Sequence, residues 1–482
     1  MHPRLLPLLL LPALLVSACS LEPRYERPDP AIAPAYPRGP SDDGVSLRES
    51  SPLAAADLGW RDFFADPFLQ QLVQTALVNN RDLRIAVLNV AGLQAQLRIQ
   101  TATLFPQAEL AAEHSRSRTP ADLSRLDVPE ITSTDSVVVA VAWEIDLFGR
   151  LRSLRHSALE QYLASIQGRR AAQILLVSQV AAQYLSVLAC DELLEVTQRT
   201  LESARSSYDL AKLQFDVGEG SELDLRQAET VVELARANRA EQWRARAQAE
   251  NGLRLLLGQA ELPRLPRRAT LSQQQLVEDL PAGLPSALLI RRPDVLQAEA
   301  LLRSANADIG AARAAFFPTI DLTGSGGTAS AMLSGMFDAG SAAWTVAPSI
   351  GLPFFEGGAN RAALEVARVR KEIAIAGYQR AVQTAFREVA DSLAARATFD
   401  EQIASLTRLV AAQQRRLELA RLLYRNGESS YLDVLTAQTD LYDAQLVLVA
   451  ASLARLTNLV TLYSALGGGW IEHTGDHADP LP

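Results

Sequence analysis

Cysteine is nearly absent, and that removes several functions at once. Only Cys19 and Cys190 occur, so neither a disulfide framework nor a cysteine-rich metal centre can be assembled. Cys190 reads as a small buried apolar residue. Histidine and methionine are scarce as well, at five and three, which leaves little soft-metal chemistry. His473 and His477 have ligand-like spacing without further ligands, and a mobile polar tail is the expected state of that segment. No glycine-rich phosphate loop or Gly-x-Ser-x-Gly elbow is present, and no histidine lies beside a plausible nucleophile. Neither an enzyme nor a bound cofactor is expected. Excess positive charge is missing too: the formal net charge is −9, which disfavours nucleic acid as a partner. Beyond the N-terminus no uninterrupted apolar run reaches about 18 residues, so no membrane-spanning helix is expected. If the chain crosses a membrane, it must do so with strands.

What is present begins with a leader. Arg4 precedes the apolar run Leu5–Val16, and Ser17-Ala18 places small residues before Cys19. A short basic region, a leucine-rich centre and small residues at the cut define a secretory signal peptide, residues 1–18. Val16-Ser17-Ala18-Cys19 resembles the bacterial lipobox, in which the cysteine becomes the acylated first residue. That resemblance implies a triacylated Cys19, held firmly by the summed burial of its CH₂ groups. Ser20 follows, where an inner-membrane retention signal favours aspartate, so sorting to the outer membrane is expected.

The chain is written twice. Leu210-Ala211-Lys212-Leu213-Gln214-Phe215-Asp216-Val217-Gly218-Glu219 recurs as Leu419-Ala420-Arg421-Leu422-Leu423-Tyr424-Arg425-Asn426-Gly427-Glu428, an offset of 209. The same offset carries Ser221, Leu223, Asp224 and Ala228 onto Ser430, Leu432, Asp433 and Ala437. Upstream, Asp82, Phe105 and Pro106 return as Asp294, Phe317 and Pro318. Self-similarity at a fixed spacing marks a duplicated structural unit. The division is a segment 19–65, a first repeat 66–258, a linker 259–283, a second repeat 284–467 and a tail 468–482.

Each repeat opens with a helical stretch, Leu69–Leu104 or Leu284–Phe316, stopped by a Phe-Pro pair. A very long helical pattern starts near Leu151 or Ala359 and ends at Gly218 or Gly427, where glycine suits a left-handed turn. A second long helix returns to Gly258 or Gly467. Leu159, Ile166, Val180, Val187, Leu194, Leu201, Tyr208 and Phe215 keep a seven-residue frame broken only by Gln173, and Ile375, Val382, Val389, Ile403, Val410, Leu417 and Tyr424 continue it, interrupted by Arg396. Small residues (Cys190, Thr197, Ala204, Ala211, Ala385, Ser392, Ala420) fill the companion positions. Such a heptad means coiled coil with closely approaching helices. At about 1.5 Å per residue each helix is a rod on the order of 100 Å, which must pack against equals.

Between these helices lie four strand candidates: Gln107–Arg116, Ser136–Leu147, Thr319–Gly327 and Trp344–Phe354. In the second, Val137, Val139, Val141, Trp143, Ile145 and Leu147 alternate with Ala140, Ala142, Glu144 and Asp146. The alternation and length of about ten suit strands of a membrane barrel, and equally a half-buried soluble sheet. Four strands cannot close a barrel, and the smallest known single-chain barrels have about eight. A membrane reading therefore requires copies to share one wall: two would supply eight strands, three twelve. Packing of the long helices around a tube favours three.

Trp60-Arg61-Asp62-Phe63-Phe64, Asn80-Arg81-Asp82-Leu83, Trp143-Glu144-Ile145-Asp146-Leu147-Phe148-Gly149-Arg150, Arg291-Arg292-Pro293-Asp294 and Ala465-Leu466-Gly467-Gly468-Gly469-Trp470 complete the pattern. With the lipobox and the duplication, the chain resembles the TolC/OprM-type outer membrane factor family over nearly its whole mature length. The likeness is nearest to the lipoprotein branch serving resistance-nodulation-division multidrug pumps. It implies a mainly α fold with β: a duplicated unit whose coiled-coil helices form a periplasmic α-barrel, plus four strands per chain in a trimeric transmembrane β-barrel. The segment 19–65, the linker and the tail would supply an equatorial belt. The implied partners are two further copies, outer-membrane lipid, a periplasmic membrane-fusion adaptor and an inner-membrane transporter. No nucleic acid is implied, and no cofactor beyond the lipid on Cys19.

The resemblance also assigns residues. Val217-Gly218 and Asn426-Gly427 match the adaptor-contacting tips, Asn426 standing where the family often has valine. Asp224 matches a gate-linking aspartate, and Asp433 a carboxylate ring at the periplasmic constriction. Tyr424 matches a gate tyrosine whose hydroxyl can bond the Asp224-type carboxylate. Thr436 replaces a second ring carboxylate and Ser429 an arginine, with Arg226 or Arg425 as basic residues that could stand in. Helix-start chemistry is the competing explanation for both aspartates. Glu109, Glu113, Glu144, Asp146 and Asp321 are candidates for the lumen side of the strands. The same fold would equally serve type I protein secretion or metal-ion efflux, and a periplasmic coiled-coil scaffold is the rival outside it.

Overall fold

The computed structural model describes residues 20–30, 32–37, 55–123, 128, 130–261, 270–277, 280 and 285–476. The leader, Cys19 and His477 lie outside these residues. The described chain runs α1 (Trp60–Phe63), α2 (Pro67–Asn79), α3 (Arg81–Ala102), β1 (Gln107–Thr119), β2 (Glu130–Glu144), α4 (Arg150–Asp216) and α5 (Glu222–Leu257). The second half repeats the order as α6 (Leu288–Arg291), α7 (Pro293–Ala314), β3 (Thr319–Ser330), β4 (Ala342–Gly351), α8 (Ala359–Arg425) and α9 (Tyr431–Ala465). Both long helices, α4 and α8, are 67 residues.

The first helical stretch of each half is broken rather than continuous. Asn80 takes an extended conformation after α2, and its carboxamide caps α3 by accepting from Leu83 N at 3.0 Å. In the second half Arg292 is extended before Pro293, because proline disfavours helical geometry in the residue preceding it.

The chain folds as two contact units. One contains residues 89–166 and 297–379 with the N-terminal segment; the other contains 30–88, 167–296 and 380–482. In the first, β1-β2-β3-β4 form one antiparallel sheet. Its register aligns Leu110, Val139, Gly326 and Trp344 across one face, and Ala108, Val141, Gly324 and Val346 in the next row. The opposite face carries Glu109, Ala140, Ser325 and Thr345. The expected apolar–polar division therefore extends across the whole sheet. The apolar face is open: Leu110, Trp344, Val346 and Ile350 are all more than 60 % exposed. Gly327 is required by close approach, since a Cβ there would lie 2.1 Å from Val137 O on β2. In the same unit the N-terminal segment is tied down by Arg27 to Glu299 at 2.9 Å and by His156 to Glu22 at 2.9 Å.

In the second unit the heptad positions pack inward along the seams, except Phe215, which is 40 % exposed at the end of α4. Leu201, Ala204, Val232 and Ala235 bury one α4–α5 seam, while Ala211, Ala228, Leu417, Ala420, Val434 and Ala437 bury another that includes α8 and α9. Cys190 packs with Val187 and Ala249, and burial raises its thiol pKa, so it stays an inert core residue. Trp60, Phe63 and Phe64 are fully buried, with Phe63 stacked on Tyr463 at 4.0 Å. Arg292, 7 % exposed, donates to Asp294, to Glu388 and to the Ala465 carbonyl.

Two expectations are corrected. Residues 471–476 are not a mobile tail: Trp60 N donates to Ile471 O at 2.9 Å, and Thr474 N donates to Asp62 at 2.7 Å. These bonds, one between backbones and one to the Asp62 carboxylate, hold the segment against α1. Also, α4 and α9 each contain a stretch long and apolar enough to cross a membrane, although no uninterrupted run exists. Scattered polar residues leave the average of a window apolar, and in α4 that window is mostly buried within the protein.

Candidate functional site

The two helix–helix turns are built alike. After α4, Gly218 adopts φ +80°, and Glu219 N reaches back to Gln214 O at 2.8 Å. After α8, Gly427 adopts φ +72°, and Glu428 N reaches Leu423 O at 2.9 Å. Both are helix ends closed by a left-handed residue, which glycine occupies without steric cost. Val217, Gly218, Asn426 and Gly427 are all exposed. The repeat-equivalent pairs Leu213/Leu422 and Leu223/Leu432 are at least 55 % exposed, so each turn carries uncovered apolar surface.

Directly after the turns, Ser221 and Ser430 cap α5 and α9. Asp224 N donates to Ser221 Oγ at 3.1 Å, and Ser221 Oγ donates back to the Asp224 carboxylate at 2.7 Å. Asp433 accepts from Ser429 Oγ at 2.6 Å, Ser430 Oγ at 2.9 Å and Ser430 N at 3.2 Å. These hydroxyls lower the Asp433 pKa below the ordinary carboxylate range. Helix-start chemistry is thus real at both aspartates. It leaves a charged, exposed Asp433 beside an open groove of about 520 Å³ lined by Arg415, Arg416, Leu419, Leu423 and Ser429.

Tyr424 does not make the expected bond to Asp224. Its hydroxyl donates to Gln214 Oε1 at 2.9 Å, while the Asp224 carboxylate is taken by Ser221. Tyr424 packs against Tyr431 at 5.3 Å between ring centres. Burial, then the charge of Asp224, raises its pKa. Tyr424 lines a second groove, with Ser203, Ser207, Leu210, Arg421 and Tyr431, so it and Asp433 face different spaces. Nor does Arg226 stand in for the missing arginine, because it pairs with Glu222 and Glu229 on its own helix. Sequence reasoning named Ser429 only as the replacement for an arginine, and it did not foresee the bonds made by Ser429, Ser430 and Gln214. The serine three residues before each aspartate was a readable capping signal; Gln214 carried none, since its partner is 210 residues away.

On the sheet, Glu109 and Asp321 lie on the polar face. Glu144 and Asp146 do not stand free: they hold Arg150 and Arg152 at the start of α4. Among the described residues no group of three or more histidine, cysteine, aspartate or glutamate side chains is placed to hold a metal ion.

The family model described as outer membrane efflux protein matches residues 72–259 and again 284–468. The chain is 46 % identical over 464 residues to the probable efflux pump outer membrane protein TtgC of Pseudomonas putida KT2440, covering 96 % of this chain and 95 % of that protein. The same figures hold for the antibiotic efflux pump outer membrane protein ArpC of Pseudomonas putida. Among solved structures, the open state of the Neisseria gonorrhoeae MtrE outer membrane channel superposes with a TM-score of 0.84. It is 39 % identical and covers 95 % of this chain and 100 % of MtrE. With both halves matched and nearly all of its length shared with such channels, the chain belongs to the outer membrane efflux protein family and is an outer-membrane channel of an efflux system.

Proposed function

We propose that three copies assemble into one passive exit duct, anchored by acylated Cys19 and serving a multidrug pump. The observation that carries this reading is the open sheet. It has an exposed apolar face, a polar face and two edges, β1 and β4, without a neighbour among the described residues. In hydrocarbon each unpaired backbone group costs several kcal/mol, so the edges must meet other edges. Three chains give twelve strands and a water-filled bore.

The duct supplies no energy and no bond chemistry; an inner-membrane transporter does that work through a periplasmic adaptor. The exposed leucines beside Gly218 and Gly427 offer that adaptor an apolar landing surface. Asp433, in three copies around the constriction, concentrates negative potential there, and Asp224 and Tyr424 brace the same helix ends. The name of ArpC points to antibiotics as cargo.

Deleting the gene is expected to make the cell hypersensitive to several unrelated antibiotics, with resistance restored by the wild-type copy. The adaptor should co-purify with the channel. Loss of protein secretion without any change in drug susceptibility would move the assignment to a secretion duct.

A further inference from the structure

On β1 the alternating sequence His114-Ser115-Arg116-Ser117-Arg118-Thr119 follows directly on Ala108, Leu110 and Ala112. Strand periodicity puts His114, Arg116 and Arg118 on the apolar face and the hydroxyl residues on the other. The register agrees: Arg116 sits opposite Ser133 and Arg118 opposite Ile131, on the face that holds Val137, Val139 and Val141. From Ile145 to Val137 that face climbs roughly 20 Å, at about 3.4 Å per residue and a tilt of about 40°. This is close to the height of a barrel's apolar band, so the band ends at Ala112 and Val137. Arg116 then stands roughly 10 Å beyond it.

The local charges leave both arginines exposed. His114 Nδ1 lies 2.7 Å from Asp135 Oδ1, so the acidic group on this face is already engaged. Glu113 and Glu130 belong to the opposite face. Arg116 and Arg118 are both exposed and, among the described residues, no ion pair is found for either. Two arginines whose backbone positions are about 7 Å apart, just above an apolar wall, match an anion that is itself tied to hydrocarbon. A soluble anion has no reason to prefer the outer wall of a barrel over its bore. Ile131, 58 % exposed beside Arg118, extends apolar contact to this level.

We propose that Arg116 and Arg118 bind the phosphate groups of a phosphorylated glycolipid in the outer leaflet, once per copy around the barrel. The proposal rests on the trimeric barrel reading, which places the β1–β2 turn at the outer surface.

The test uses the full-length protein in phosphatidylcholine vesicles titrated with bisphosphorylated lipid A. Parallel arms use lipid A with both phosphates removed, phosphatidylglycerol and inorganic phosphate. Wild-type protein should bind the bisphosphorylated form at least about tenfold more tightly than the dephosphorylated one, as loss of charge-assisted bonds requires. Arg116→Gln with Arg118→Gln should abolish that difference, and lysine at both positions should restore part of it. Equal binding of the two lipid A forms by wild-type protein overturns the proposal without depending on any variant. So does equal competition by phosphatidylglycerol, or by inorganic phosphate. The heat-modifiable trimer band is followed in the same samples. A normal band without phosphate dependence defeats the arginine site alone, whereas absence of the band from wild-type vesicles defeats the barrel and the site together.

Discussion

Replacing Val141 by arginine is expected to abolish assembly in the outer membrane, while the same replacement at Ala140 is tolerated. The two residues are neighbours on β2 but belong to opposite faces. Val141 lies between Ala108 and Gly324, midway up the apolar rows, and is 37 % exposed in the single chain. In a barrel that surface meets acyl chains, where an arginine near the midplane costs about 2–4 kcal/mol per copy. Three copies raise the sum to a size that competes with the net stability of a protein. Ala140 pairs instead with Glu109 and Ser325 on the polar face. An arginine there enters water and has Glu109 as a counter-charge. The measurement is the amount of heat-modifiable trimer in outer-membrane fractions, read beside antibiotic susceptibility. Equal behaviour of Val141→Arg and Ala140→Arg would show that the faces are not divided between lipid and bore.

Asp433→Asn and Asp433→Ala are expected to separate the observed cap from the charge proposed for the constriction. The carboxylate caps α9 through Ser429 and Ser430 and also carries the charge assigned to the constriction. Asparagine keeps an acceptor oxygen and removes the charge; alanine removes both. Both variants should therefore shift single-channel reversal potentials in a salt gradient away from cation preference, toward no preference. The alanine variant alone should also loosen the start of α9 and raise leak through the closed channel. Adding Asp224→Ala, which breaks the matching cap on α5, should increase that leak further.

The pH dependence follows from the direction of the shift. A carboxyl whose folded pKa is lowered contributes its stabilisation above the unfolded value and loses it as pH falls through the folded one. Selectivity and cap should persist through the ordinary carboxylate range and fade only below it. Unchanged reversal potentials in both variants would leave Asp433 a cap and nothing more.

Much of this fold could be read before any coordinates, because its signals are local and repeated. The 209-residue offset and the glycines at 218 and 427 place the ends of α4 and α8 within two residues of where they fall, at Asp216 and Arg425. Alternation along β2 gave the correct face for Val137, Val139, Val141 and Trp143 and for Ala140 and Ala142. The helical breaks at Asn80 and Arg292 were harder to see. Each depends on one residue leaving helical geometry, and hydrophobic periodicity runs past it. The candidate residues were legible as positions in the repeat and less so in their bonds. Asp224, Tyr424 and Asp433 are where the repeat puts them, yet Tyr424 finds Gln214 across the helix pair rather than Asp224. Such choices are settled by side-chain geometry between distant segments, which no local pattern encodes. The ordering of residues 471–476 has the same origin, since Asp62 and Trp60 lie about four hundred positions upstream.

The most direct measurement is the number of chains that share one pore in lipid. Mature protein inserted into nanodiscs and weighed by native mass spectrometry should give three chains around a single conducting bore. A conducting or stably inserted single chain would contradict the account, because four strands would then be satisfying their own edges in hydrocarbon.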